Sequence, residues 1–331
     1  MIGLWDTKGD EVVKALAAER RNAGGVTSGL ALTLVAIADE KMVRDAEAAS
    51  TIAASAHPCR LIIVVRTDSS ESTRSRLDAE IVVGGRLGPC EAVVLRMQGR
   101  LALHAESVVM PLLAPDVPVV TWWHGEPPER IAYDPLGVVG ERRITDAAQC
   151  ADPIAALRRR AEDYAPGDTD LAWSRITPWR ALVAGAFDTV ESTVTSTVVV
   201  APKADPTAAL MRGWLKARLG VTAVAEDTTD FPRMREVRLI CADGEVVSLT
   251  RQDDSAVLTR TGQEDRDLPL TRRSLGEELA EELRRLDADQ IYAEALSALT
   301  GETGLAERPK MRVHVWKDPA LAERETADTA A

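Results

Sequence analysis

Apolar positions along this chain recur with two periods, and each change of period marks a predicted element. Val12 with Leu16, and Val13 with Ala17, stack at helical spacing, and Thr7-x-x-Asp10 ahead of them reads as a capping box. A helix is therefore predicted to run through Arg21 and to close at Gly24-Gly25. Leu30–Ile37 reads as a buried strand. Asp39 is placed to cap an alanine-rich helix over Glu40–Ala56, which Pro58 stops. Leu61–Val65 is an unbroken aliphatic run, predicting a central strand covered on both faces. The Ser-rich piece Thr67–Arg76 predicts a loop, after which Leu77, Ala79, Ile81 and Val83 alternate with polar neighbours as in a half-buried strand. Gly84, Gly85 and Gly88 turn the chain into a strand over Ala92–Met97. A helix near His104–Leu113, a strand over Val117–Thr121 with Trp122-Trp123, and a Pro-rich loop over His124–Pro135 follow. Residues 1–150 thus read as an α/β domain with a mixed sheet of about five strands.

From Pro153 the pattern turns helical, and residues 151–192 read as a helical connector. Residues 193–317 read as a second α/β domain. Its predicted strands are Thr195–Val200, Val221–Ala225, Val237–Cys241, Glu245–Thr250 and Ala256–Thr261, with a hairpin turn at Asp243-Gly244. Asp205-Pro206 opens a helix to Leu219, Ser274-x-x-Glu277 caps one carrying Leu275, Leu279, Leu283 and Leu286, and a last helix spans Ala288–Thr300. Residues 318–331, mostly Ala, Glu, Asp and Thr, read as a disordered tail. The predicted fold class is α/β: two α/β sandwich domains with mixed sheets, joined by a central helical segment.

Composition narrows the function. A net charge of −12 disfavours a nucleic-acid partner, because phosphate backbones need a concentrated basic surface. No apolar run approaches the length of a membrane span, and the first residues lack the layout of a secretory signal, so a soluble, cytoplasmic protein is expected. Cys59, Cys90, Cys150 and Cys241 are spread without a C-x-x-C pair, which fits neither a zinc site nor a disulfide scaffold. No metal and no cofactor are expected. Gly24-Gly25 with Gly29 precedes a strand and Gly84-Gly85 with Gly88 joins two, so neither is a dinucleotide fingerprint.

The chemistry worth weighing concentrates in Pro166–Arg180, PGDTDLAWSRITPWR, which holds two Trp, two Arg and two Asp in a chain with 4% aromatic residues. Capping accounts for part of it. Asp168 or Thr169 caps a short helix with Asp170 favourable near its positive end, and Thr177-Pro178 opens the next helix, whose face includes Trp179. Trp173, Arg175 and Arg180 are left over, as candidates either for binding or for Arg–Asp pairing within the segment. Trp122 and Trp123, adjacent on a strand, point to opposite faces, so either both faces are covered or one indole is presented outward. His57-Pro58-Cys59-Arg60 lies at a helix-to-strand junction, where His57 and Arg60 are candidates for holding an anion.

These motifs resemble the OpcA family of glucose-6-phosphate dehydrogenase assembly and activator proteins. The resemblance rests on PGDTDLAWSRITPWR, on HPCR at 57–60 (HPSR in the family), on SRLDAEI at 75–81, on SVVMPLLAPDVPVVTWW at 107–123, and on DPLG and RRITD at 134–137 and 142–146. It departs at His124-Gly125, where relatives often continue with Pro, and in the C-terminal half only the pattern matches. The resemblance implies a non-catalytic protein that binds glucose-6-phosphate dehydrogenase, with Trp122, Trp123, Asp168, Asp170, Trp173, Arg175, Trp179 and Arg180 as candidate partner contacts. On that reading, Ala at Trp173 or Arg175 abolishes activation and leaves melting unchanged. Two alternatives stand beside it: a regulator of the same enzyme that senses NADPH or a sugar phosphate, and an enzyme gripping a sugar phosphate with Arg60, Arg175 and Arg180.

Overall fold

The computed structural model describes residues 1–22, 29–67, 73–84 and 91–310. Gly24-Gly25, Gly85, Gly88, Cys90, residues 68–72 of the Thr67–Arg76 loop and the predicted tail lie outside the described residues. The first sheet has eight strands rather than about five: β1 (Ile2–Leu4), β2 (Leu32–Ala38), β3 (Cys59–Thr67), β4 (Arg76–Val83), β5 (Glu91–Gln98), β6 (Val119–His124), β7 (Arg142–Thr145) and β8 (Asp168–Asp170). Their spatial order is β1-β4-β5-β3-β2-β6-β7-β8. The pairs from β5 through β8 are parallel, and β1 and β4 add an antiparallel edge. The additional strands β1, β7 and β8 are three or four residues long, too short for periodicity to register.

Parallel strands covered on both faces read as continuous apolar runs, and every residue of β2 is buried. On one face Leu34, Ala36, Leu61 and Ile63 meet Ala46 and Ala53 of helix α2 (Val43–Ala56). On the other, Val35, Ile62, Val64 and Leu95 meet Val12 and Leu16 of helix α1 (Gly9–Asn22). Short helices α3 (Arg100–Leu103), α4 (Glu106–Val109) and α5 (Pro135–Val139) complete that second layer. The single helix expected over His104–Leu113 is thus broken into α4 and a 3-10 turn over Met110–Leu112, whose early position holds Pro111. The capping box expected at Thr7 is also different: α1 starts at Gly9, and the Glu11 carboxylate takes the Thr7 hydroxyl at 2.6 Å.

The second sheet has six strands: β9 (Val194–Ala201), β10 (Thr222–Asp227), β11 (Glu236–Cys241), β12 (Val246–Gln252), β13 (Ser255–Arg260) and β14 (Arg266–Pro269), in the order β10-β9-β11-β12-β13-β14. Only β9 and β10 are parallel, joined by helix α9 (Pro206–Leu219). Asp205 caps α9 through Thr207 N–H at 2.8 Å, and Gly220 ends it with φ of 67°, both at the positions their residue types demand. Helices α6 (Pro153–Glu162), α7 (Leu171–Arg175), α8 (Thr177–Phe187) and α11 (Gln290–Thr300) share a core with this sheet. Helix α10 (Leu275–Leu283), opened by the capping box of Ser274 and Glu277, returns to the first sheet and packs on α2 through Leu279 and Leu283.

Candidate functional site

The segment Pro166–Arg180 lies where the two cores meet. Arg143 N–H donates to Gly167 O at 3.0 Å, and Gly167 has φ of 103° with the Glu141 carbonyl against it, so a side chain there has neither room nor a favourable backbone. The chain then adds β8 to the edge of the first sheet, so this segment is not wholly helical. Leu171 enters the first core, whereas Ala172 and Trp173 enter the second. Helix α7 is therefore the seam between them.

Polar groups at the carboxyl ends of β7 and β8 tie that seam to α10 and α11. Arg175 donates to both carboxylate oxygens of Asp146 at 2.6 and 2.7 Å and pairs with Glu278 at 2.8 Å. Asp170, fully buried, accepts from the Thr145 hydroxyl at 2.7 Å and from the N–H groups of Ala147 and Ala172 at 3.0 and 2.9 Å. Asp170, not Asp168 or Thr169, is thus the cap of α7. Asp168 faces Arg143 instead. Trp173 donates to Asp289 at 2.8 Å, and Ser174 and Arg142 converge on Glu282. The Arg180 guanidinium carbon sits over the Trp173 ring, 3.6 Å from its centroid, and Arg180 donates to the Thr177 hydroxyl at 3.0 Å. Thr177 accordingly does not cap α8.

Burial shapes the electrostatics of this seam. Burial and the neighbouring Asp146 raise the Asp170 carboxyl to about 6. Burial likewise raises Glu278, with Arg175 pulling the other way. Arg180, half-buried and without a carboxylate in ion-pair range among the described residues, is lowered to about 10 by its loss of solvation. Arg175 is held above its ordinary range, the Asp146 and Glu278 contacts outweighing its burial.

The candidate partner contacts are not gathered into an exposed Trp/Arg patch. Trp122, Trp123, Trp173 and Trp179 are no more than 2% exposed. Trp122 packs in the α2 face of the first sheet and Trp123 in the α1 face, so the covered-faces reading of that pair holds. His124, expected in a loop, is the buried last residue of β6, its ring 4.9 Å from that of Trp122. His57 and Arg60, the candidates for holding an anion, are engaged inside the chain. Arg60 is buried, bonded to Glu91 at 2.8 Å and the Leu112 carbonyl at 2.7 Å, and the His57 ring meets the Ala280 carbonyl at 3.0 Å. Arg–Asp pairing wins over binding for Arg175, with partners outside the segment rather than within it.

What the seam leaves open is a cleft of about 910 Å³ between α7–α8 and the loops of the second sheet. Arg175, Pro178 and Trp179 form one side, and Arg233, Arg251, Arg272 and Arg273 line it from the other. None of these four stands out by motif or spacing in the sequence. They are brought together by sheet register, Arg251 N–H bonding the Arg235 carbonyl at 2.8 Å, and by the α10 cap. Their only signal in the sequence was the Arg272-Arg273 doublet before Ser274. One group of three possible metal ligands occurs among the described residues, Cys241, Asp243 and Glu245 at the β11–β12 hairpin. There Asp243 accepts the Glu245 N–H at 3.0 Å, as a hairpin turn requires.

Two family profiles of one family match successive parts of the chain. Residues 50–162 match the glucose-6-phosphate dehydrogenase subunit N-terminal domain of the OpcA family, and residues 166–296 match its C-terminal domain. The chain belongs to the OpcA family. Relatives named OxPP cycle protein OpcA are 30% identical over 52% of this chain in Synechococcus elongatus and 28% over 54% in Synechocystis. The chain spans only 42% and 40% of those OpcA proteins. Among solved structures, a 3-ketoreductase from Actinomadura kijaniata in complex with NADP covers 81% of this chain and 94% of its own at 12% identity and a TM-score of 0.45. An NAD binding oxidoreductase from Klebsiella pneumoniae covers 83% and 96% at 11% identity and a TM-score of 0.40. Likeness at that level carries no chemistry over to this OpcA chain.

Proposed function

We propose that this chain is a non-catalytic assembly factor and allosteric activator that binds glucose-6-phosphate dehydrogenase in the cytoplasm and promotes its active oligomer in the oxidative pentose phosphate pathway. The observation that carries the reading is membership of the OpcA family across both units of the fold. An activator acts by binding the competent state of its target more tightly than the incompetent one, by about 1–3 kcal/mol of coupling in typical cases. That difference is transmitted only if the contacts are held in one arrangement. The charged seam at Asp146, Arg175, Glu278 and Glu282 supports such rigidity, because its bonds tie β7 and the turn after it, α7 and α10 together. The hallmark segment then works from inside, and the partner meets surfaces that it positions.

The test is to assay a cognate glucose-6-phosphate dehydrogenase with and without the chain while following its size by light scattering. Activation together with a shift to a larger or more uniform assembly supports the proposal; an unchanged rate and size at saturating chain overturns it. The metabolite-sensing reading is favoured by one observation, the arginine-lined cleft. The sugar-phosphate enzyme reading loses its proposed grip, since Arg60, Arg175 and Arg180 are each engaged elsewhere.

A further inference from the structure

We propose that the cleft beside α7 and α8 binds a small molecule carrying two or more linked or neighbouring phosphate charges, gripped by Arg233, Arg251, Arg272 and Arg273. This goes beyond the assembly role, and it holds or fails without the dehydrogenase.

The charge of the cleft is the first argument. Its lining contains two acidic side chains, of which one oxygen, Asp205 Oδ2, is buried without a partner. Glu278 holds Arg175 at 2.8 Å, and Asp205 caps α9. Among the described residues, Arg233, Arg251 and Arg272 have no carboxylate within ion-pair distance, and Arg273 meets Glu281 only at 3.9 Å. In a chain of net charge −12, four guanidiniums facing one cavity with so little local compensation are an anomaly of placement.

Unmet hydrogen-bonding capacity is the second. Arg233 Nε, Arg251 Nε and Arg273 Nη1 are buried and lack a hydrogen-bond partner. A buried N–H without an acceptor costs about 1–3 kcal/mol, so three of them around one cleft favour a ligand that supplies acceptors. Like charges compound the strain. Burial lowers the Arg251 guanidinium below its ordinary range, and Arg233 and Arg272 push in the same direction, with Asp254 opposing. Arg251 is steadied by carbonyls of Asp253 and Leu270 at 3.4 and 3.3 Å and by the Trp179 ring, whose centroid is 5.4 Å from its Cζ. None of these neutralises it.

The ligand class follows from shape and chemistry. Planar guanidinium forks match phosphate oxygens in pairs, and an apolar or singly charged ligand leaves the repulsion in place. The volume of about 910 Å³ falls in the range of small-molecule sites, roughly 300–1,000 Å³. Pro178, Pro202, Pro206 and Pro232 supply a rigid apolar wall for an organic remainder. The cleft also lies outside the carboxyl ends of the parallel strands β7 and β8, the edge at which open α/β sheets receive ligands.

Calorimetric titration of the full chain with inorganic pyrophosphate, orthophosphate and NADP tests the proposal. The expected result is saturable binding of pyrophosphate, one per chain, at least about tenfold tighter than orthophosphate. NADP binding more tightly than pyrophosphate indicates that the proline wall holds an organic moiety; weaker NADP binding assigns the site to a smaller polyphosphate. Arg251→Met and Arg272→Met each weaken pyrophosphate by roughly tenfold or more, the share of one charge-assisted contact. Arg272 is exposed, so that variant keeps its melting temperature. Arg74→Met, which removes an 81% exposed charge outside the cleft, changes nothing. Unsaturable uptake, or affinity equal in all three variants and wild type, overturns the proposal.

Discussion

Replacing Arg175 by Met tests whether the hallmark segment is a structural seam. The methionine keeps most of the side-chain volume and removes the charge. Left behind are Asp146, fully buried, Glu278 at 6% exposure, and Asp170, fully buried and already raised to about 6. Breaking a buried ion pair by removing one partner costs ~3–5 kcal/mol. Arg175 is 22% exposed, which places the expected loss near the lower end, about 3 kcal/mol. With a urea slope of roughly 2–3 kcal/mol per M, the midpoint falls by about 1 M. The pH dependence supplies the sharper check. Without the guanidinium, burial raises Glu278 and Asp170 further above their unfolded values, so the folded state binds more protons and stability falls as pH rises through that window. The deficit of the variant is therefore larger at pH 8 than at pH 5. Urea unfolding followed by tryptophan fluorescence at both pH values measures it. An unchanged midpoint, or a deficit larger at pH 5, refutes the argument. The expectation that Ala at Trp173 or Arg175 spares melting is withdrawn on the same grounds: Trp173 is 2% exposed and bonded to Asp289.

Gly213→Ala places a Cβ against the Ala295 carbonyl and separates α9 from α11; a cost of about 1–3 kcal/mol appears as a melting temperature lower by several degrees in calorimetry, and unaltered melting contradicts the close approach. Burial raises the Cys150 thiol to about 12 and also raises Cys241, so neither is labelled by iodoacetamide at pH 8 until denaturant is added; mass spectrometry of native-state digests reads this, and prompt labelling of Cys150 contradicts it. Burial lowers His124, with Asp146 and Asp45 opposing, so its contribution is present above the ordinary histidine range and is lost as pH falls through about 6.5. Asp170, raised to about 6, works in the opposite sense as pH falls further, so the test is a difference: the stability of wild type relative to His124→Asn declines between pH 7.5 and 5.5. A constant difference rules out a buried neutral imidazole.

Long strands and capped helices were readable in the chain because local chemistry decides them. Asp205-Pro206, Ser274 with Glu277, and Gly301 at φ of 86° stand at element ends where their residue types are favoured. The α2 face and the α1 face of the first sheet were implied by the all-apolar run of β3. Strands of three or four residues were not readable, since β7 and β8 carry Arg143, Thr145, Asp168 and Asp170 where a strand pattern calls for apolar side chains. Those polar residues are buried because the third dimension supplies their partners. For the same reason a dense Trp/Arg/Asp segment looked like a docking patch. Density of hot-spot residue types is shared by interfaces and by polar seams between cores, and only the partners Asp146, Glu278 and Asp289, 29 to 116 residues away in sequence, separate the two.

An apolar seam of equal volume is often as stable as a buried ion network, or more so, which leaves the charges of this seam to be explained by specificity. Apolar faces slide; a guanidinium bonded to Asp146 on one side and Glu278 on the other does not. The same argument links the seam to the cleft. Arg175 and Trp179 belong to both, and α10, whose Glu278 and Glu282 bond to the seam, begins directly after Arg272 and Arg273. A ligand that draws those arginines together therefore acts on the start of the helix that the seam locks. If the two are coupled, pyrophosphate raises the urea midpoint of wild type and raises that of Arg175→Met by less, because in the variant the cleft is no longer held in its binding arrangement. Equal increments place the cleft and the seam in separate roles.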